Sequence, residues 1–158
     1  MTRIFILVIV GTLLPLSGYS AEVPDPIVPV RADDQQMEAA IKQARSTLPH
    51  FFQAMANPKP NQKSFLVKVA FRRDKVEEHI WVADLSFAGK TPRGVVANEP
   101  KIKGIRFMEH VSFDRADVSD WMYLQDGRLI GGYTTRLIRG RLSPEERKEF
   151  DASAPYKI

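Results

Sequence analysis

The chain has 158 residues, no cysteine and only three histidines. The first absence excludes disulfides, thiol nucleophiles, thiolate metal ligands and the acylated cysteine of a lipoprotein. The second leaves His50, His79 and His110 far apart in sequence, so no metal site is expected. Two chemical signatures are also missing. There is no Gly-x-Ser-x-Gly turn for an acyl-transfer serine, and Gly131-Gly132 lacks the rest of any phosphate-binding fingerprint. No cofactor is expected. Basic residues exceed acidic ones only mildly, 23 against 19, for a net charge of +4. They are spread out, with one local excess at Arg136, Arg139 and Arg141, which argues against nucleic acid as a partner.

What is present begins with an export pattern. Arg3 precedes an apolar run over residues 4–14, then Pro15 and a small polar exit through Gly18 and Ser20. This is the three-part layout of a secretory signal peptide, with cleavage predicted after Ser20. The run is too short to span a bilayer comfortably, so no membrane span is expected after cleavage. Loss of Arg3, the segment's one charge, lowers the net charge to +3. The predicted location is periplasmic or secreted. Residues 21–32 carry Pro24, Pro26 and Pro29 and read as an extended tether. Residues 33–158 then form a single domain with enough chain for one core.

Within that domain Met37, Ile41, Ala44, Leu48, Phe52 and Met55 recur at helical spacing, after Asp33 or Asp34 as a cap. Thr47-Leu48-Pro49 predicts a kink, or a stop with Thr47 capping a second helix. Phe65, Val67, Val69 and Phe71 alternate with polar or small residues, as in a strand with one buried face. Residues 76–87 follow as the longest β signal, apolar on both faces around Trp81, which suits a central strand. Residues 93–97 and 111–113 are shorter strands. The stretch 118–133 reads as a hairpin on Asp126-Gly127, since a type I′ turn needs positive φ at both positions. Gly131-Gly132 marks a bend or a close approach. Thr134 or Thr135 is expected to cap a short helix stopped by Gly140, and Ser143-Pro144-Glu145-Glu146 opens the last one. The fold class is α+β: a curved antiparallel sheet, an N-terminal amphipathic helix and two short C-terminal helices.

Two groups of side chains are candidates for chemistry. Glu77 and His79 lie two apart on one strand face, where the carboxylate can tune the imidazole as a general base; His79 with either Glu77 or Asp120 is the small-hydrolase reading. A serine nucleophile at Ser112 or Ser119, among Asp114, Asp117 and Asp120, is weighed against a loop of capping polar groups. Asp84 and Asp120 are the candidate pair for a two-carboxylate site, if the fold brings them together. The second group is aromatic. Trp121, Tyr123 and Tyr133, with nearby Arg136, are the expected ligand- or partner-binding face; burial of Trp121 and Tyr133 instead makes the motif structural.

An ordered set of short motifs spans nearly all of residues 21–158: Ala44-Arg45-Ser46-Thr47-Leu48-Pro49, Phe65-Leu66-Val67-Lys68-Val69, Glu78-His79-Ile80-Trp81-Val82, Ala97-Asn98-Glu99-Pro100, Ser119-Asp120-Trp121-Met122-Tyr123, Gly131-Gly132-Tyr133-Thr134 and Leu142-Ser143-Pro144-Glu145-Glu146-Arg147. The set resembles the YegJ-like family of uncharacterised bacterial proteins, which carries a conserved domain of unknown function. The resemblance implies a single exported domain and supplies no activity or catalytic residue. Through its hairpin the chain also resembles, more faintly, small immunity-type proteins. The functional expectation is a non-catalytic binding module of the cell envelope, with an envelope protein or small ligand as partner. The alternatives are the hydrolase above and an immunity-type inhibitor of a secreted protein.

Overall fold

The computed structural model describes residues 34–158. The expected signal peptide and tether lie outside them. The first helix, α1 (Gln35–Ala56), is capped by Asp34, whose carboxylate accepts the Met37 N–H. Arg141 binds the same carboxylate and holds its pKa down at about 2. The helix buries Met37, Ala44 and Phe51, spaced seven apart. Phe51, rather than the expected Phe52, is the deepest ring, and Phe52 is half-buried.

The predicted interruption at Thr47-Leu48-Pro49 does not stop the helix. Pro49 lies inside a continuous α1, on its exposed side. The Thr47 hydroxyl donates back to Gln43 and Ala44 carbonyls rather than capping a new helix. A proline in a helix interior costs roughly 3 kcal/mol, so packing on the sheet must hold the helix together here.

Six strands follow: β1 (Gln62–Arg73), β2 (Val76–Ser86), β3 (Arg93–Val96), β4 (His110–Ser112), β5 (Val118–Gln125) and β6 (Arg128–Gly131). They form one open antiparallel sheet in the order β4-β3-β2-β1-β5-β6. β2 is interior, as its doubly apolar pattern predicts. β1 is buried on both faces from Leu66 to Ala70, not on one as its alternation suggested. α1 covers one face and the C-terminal segment the other, while β5 returns across the sequence to pair with the free edge of β1. A single 3₁₀ turn, Arg115–Asp117, leads into it.

One sheet face lies under α1, where Val67, Val69, Val82, Trp121 and Tyr123 meet Ala44 and Phe51. On the other, Leu66, Trp81, Met122, Leu124 and Leu129 are closed over by the C-terminal Ala154, Tyr156 and Ile158. The chain end is held by main-chain hydrogen bonds from Leu129 to Lys157 and from Lys157 to Gly127.

Two short helices, α2 (Tyr133–Arg141) and α3 (Pro144–Ser153), complete the predicted α+β class. α3 carries the capping box expected from Ser143 and Glu146. α2 departs from expectation at both ends. Gly140 lies within it and does not stop it, and neither Thr134 nor Thr135 caps it. Gly132, in the left-handed conformation, occupies the cap position and offers no side chain. The capping oxygen comes from β5.

Candidate functional site

That oxygen belongs to Asp120. Its carboxylate is fully buried and accepts four hydrogen bonds, from the N–H groups of Trp121, Tyr133 and Thr134 and from the Thr134 hydroxyl. Two of these donors are the first N–H groups of α2, which a helix leaves without intrahelical partners. Burial pushes the Asp120 pKa up, while the Thr134 hydroxyl and the charge of buried Lys68 oppose the rise. Lys68 sits opposite Asp120 on β1, with its ammonium 4.8 Å from the centre of the Trp81 ring. Its four hydrogen bonds serve the junction of β5 with α2. Asp84 is exposed on β2, so these two acids do not line a common cleft.

His79 and Glu77 do meet, and they recruit Ser119. His79 Nε2 is 3.2 Å from Glu77 Oε1, and Nδ1 is 2.8 Å from Ser119 Oγ. Acid, imidazole and hydroxyl thus stand in a row that sequence spacing did not reveal, since Ser119 arrives on β5. Yet Ser119 is 1 % exposed and its hydroxyl donates to the Lys68 carbonyl. A nucleophile needs a free approach for substrate and donors for an oxyanion. This hydroxyl is enclosed by two strands. Glu77 is further engaged by Arg72, which also binds Asp117. Asp120 does not join the row.

The row does have a titration consequence. Burial lowers the His79 pKa below 6.5, outweighing the raising influence of Glu77. The unfolded chain therefore takes up the proton first. Stability is full above about pH 6.5, falls as pH drops through that value, and levels off below the folded pKa. Thermal unfolding at pH 7.5 and pH 5 should show a fall in Tm that His79→Gln reduces. An equal fall in wild type and variant would assign the pH effect elsewhere.

The aromatic candidates are placed mostly inside. Trp121 and Tyr123 are each 2 % exposed. The Trp121 indole N–H donates to the Ala44 carbonyl and the Thr47 hydroxyl, and its ring packs on Phe51, Tyr123 and Tyr133. The Tyr123 hydroxyl lies 3.2 Å from His50 Nε2. These two rings therefore form the α1–sheet contact and no open face. Tyr133 is half-buried and Arg136 exposed, but the Arg136 guanidinium donates to the Leu129 and Gly131 carbonyls. Its basic neighbours are similarly occupied, Arg139 by Asp151 and Arg141 by Asp34. His110 is exposed on β4. Among the described residues no three His, Asp or Glu side chains gather as a metal site, and no helix is long and apolar enough to cross a membrane.

A concave surface lies elsewhere. A groove of about 530 Å³ opens over β1 between the β2–β3 loop and the turn before β5. Half-buried Phe71 contributes to its floor, and buried Pro92 and Phe113 to its walls. Lys90, Thr91, Ser112 and Arg115 stand exposed around it, with Asp114 and the Arg72–Asp117 ion pair. The sequence singled out Ser112, Asp114 and Asp117 only as a possible serine–carboxylate loop and gave no sign of the groove they help to line. Its residues come from three short segments that carry no shared motif, and only the strand order brings them together.

The fold and these sites define an α+β domain on an open antiparallel sheet, with an enclosed polar cluster and a groove over β1. Comparison with known proteins places it further. A bacterial family described as "Uncharacterized protein conserved in bacteria (DUF2314)" matches residues 34–156, and the chain belongs to this family. It is 31 % identical over 137 residues to "Uncharacterized protein YegJ" of Escherichia coli K12, covering 86 % of this chain and 88 % of that protein. It is 33 % identical over 133 residues to a "putative ankyrin repeat protein" of Neisseria meningitidis serogroup B, covering 78 % of this chain. The chain spans about half the length, 53 %, of that relative. The resemblance carried by the sequence motifs is thereby borne out. No solved structure matches the chain.

Proposed function

We propose that this protein is exported and acts in the cell envelope as a non-catalytic binding module. The observation that carries the reading is the enclosure of Ser119. The one acid–imidazole–hydroxyl row in the described residues has its hydroxyl shut between β1 and β5, so the groups best suited to hydrolysis serve the fold instead. The basic-then-apolar order of residues 3–14 and the small residues before Ala21 support export. A protein partner is a second reading, favoured by the Neisseria relative. Ankyrin repeats stack into extended concave surfaces of the kind used for binding, and a domain sharing a chain with them keeps company with a recognition module.

One experiment tests export and absence of catalysis together. Cells expressing the full chain are released by osmotic shock, and the protein's intact mass is measured with and without a fluorophosphonate serine probe. The expected product is residues 21–158 in the shock fluid, unshifted by the probe. A full-length chain kept in the cell interior would overturn export. A probe adduct on Ser119 would overturn the non-catalytic reading.

A further inference from the structure

We propose that the groove over β1 binds small amphipathic anions: a single carboxylate carried on an apolar chain or ring. This rests on the binding-module reading and names where and what that module binds.

The groove has two unlike parts. Its lower part is apolar, offering the accessible side of Phe71 between Pro92 and Phe113. Its rim is charged, and the charges are not equivalent. Arg72 is neutralised twice over, by Glu77 and by Asp117. Asp114 is turned to the 3₁₀ turn, accepting the Ala116 N–H. Lys90 and Arg115 remain, and neither has a carboxylate partner among the described residues. Arg115 is nevertheless well placed. Its guanidinium lies 5.7 Å from the Phe52 ring centre and 5.1 Å from that of Phe87, and it reaches the Phe87 carbonyl. Rings under a guanidinium fix its position while leaving in-plane donors free, which suits a carboxylate. Thr91 and Ser112 add hydroxyls at the same rim.

An anionic head thus fits between Lys90 and Arg115, with its apolar body on Phe71 and Phe113. A cation of the same shape would meet Lys90 and Arg115 with only Asp114, already held by the Ala116 N–H, to offset them. A small polar anion would lack contact with the floor. The volume, about 530 Å³, lies within the usual range for small-molecule sites.

The test uses soluble probes and the protein in whichever form, processed or not, the expressing cell yields. Amide NMR spectra are recorded while octanoate, octylamine or acetate is added. Octanoate should give saturable shifts centred on residues 69–72, 90–92 and 112–117, with a dissociation constant of about 1 mM or tighter. Octylamine and acetate should give none at the same concentrations. Lys90→Glu, at an exposed loop position, should leave the spectrum folded and weaken octanoate about tenfold; Arg115→Gln should weaken it while leaving helical circular dichroism unchanged. The proposal falls if octanoate produces no saturable shift, if octylamine binds as well, if the shifts map outside the groove, or if Lys90→Glu binds like wild type. An unprocessed protein that still binds octanoate would sink export and leave the groove standing. A processed protein that ignores octanoate would do the reverse.

Discussion

Replacing Asp120 by alanine should destabilise the protein by about 3–5 kcal/mol, the range seen when one member of a buried charged network is removed. The expectation rests on how many groups lose a partner at once. The α2 N–H groups of Tyr133 and Thr134, the Trp121 N–H and the Thr134 hydroxyl all point at this one carboxylate, and Lys68 is buried opposite it. Asp120→Asn does not rescue the site. Each carboxylate oxygen faces two donors, so an amide NH2 turned either way meets N–H groups head-on, at a cost of about 2 kcal/mol or more. Urea unfolding monitored by circular dichroism measures both variants. A functional carboxylate held against the fold's interest would give the opposite sign, since its removal often stabilises. A variant as stable as wild type, or more so, would return Asp120 to the list of functional candidates.

The second large effect is at Gly131. A Cβ there would lie 2.4 Å from the Trp121 carbonyl oxygen and 2.6 Å from two atoms of its ring. The backbone has φ of +76°, where a side chain is strained even in open space. Trp121 cannot withdraw, because its indole N–H is tied to α1 and its ring is held among Phe51, Tyr123 and Tyr133. Conformational strain and overpacking together should make Gly131→Ala unfold about 3 kcal/mol more easily. Gly140→Ala is the control. It adds a methyl to α2 in open space at an ordinary φ, and should stabilise by up to about 1 kcal/mol. Equal midpoints for the two alanine variants would remove the close approach to Trp121 as the reason for a glycine at 131.

These two sites show how much of the protein was legible beforehand. Gly131 was visible as a glycine where something comes close; the something, a tryptophan ten residues earlier, was visible only as a hairpin ring. Asp120 was readable as one of a loop's capping polar groups, but not as the cap of a helix thirteen residues on. Thr134 was expected to cap α2 and instead donates to the real cap, because β5 and β6 return the chain so that Asp120 faces the helix start. Ser119 shows the same limit. Nothing near it in sequence indicated His79, forty residues away on β2.

By itself the sequence determined whatever depends on neighbours within a few residues. That includes the stripe of α1, the two-faced apolar centre of β2, positive φ at Asp126 and Gly127, and the Ser143–Glu146 capping box. These follow from periodicity, turn sterics and local hydrogen bonds, which act at short range. Only the tertiary structure decided what depends on strand order. By seating β5 against β1 it buried Trp121 and Tyr123 and closed Ser119 behind His79, by returning the chain through β6 it sent Asp120 to cap α2, and it left a groove where three unrelated segments converge. A period of two shows which residues share a face of a strand. It carries no record of which strand will lie alongside, and so none of which face stays open to a ligand.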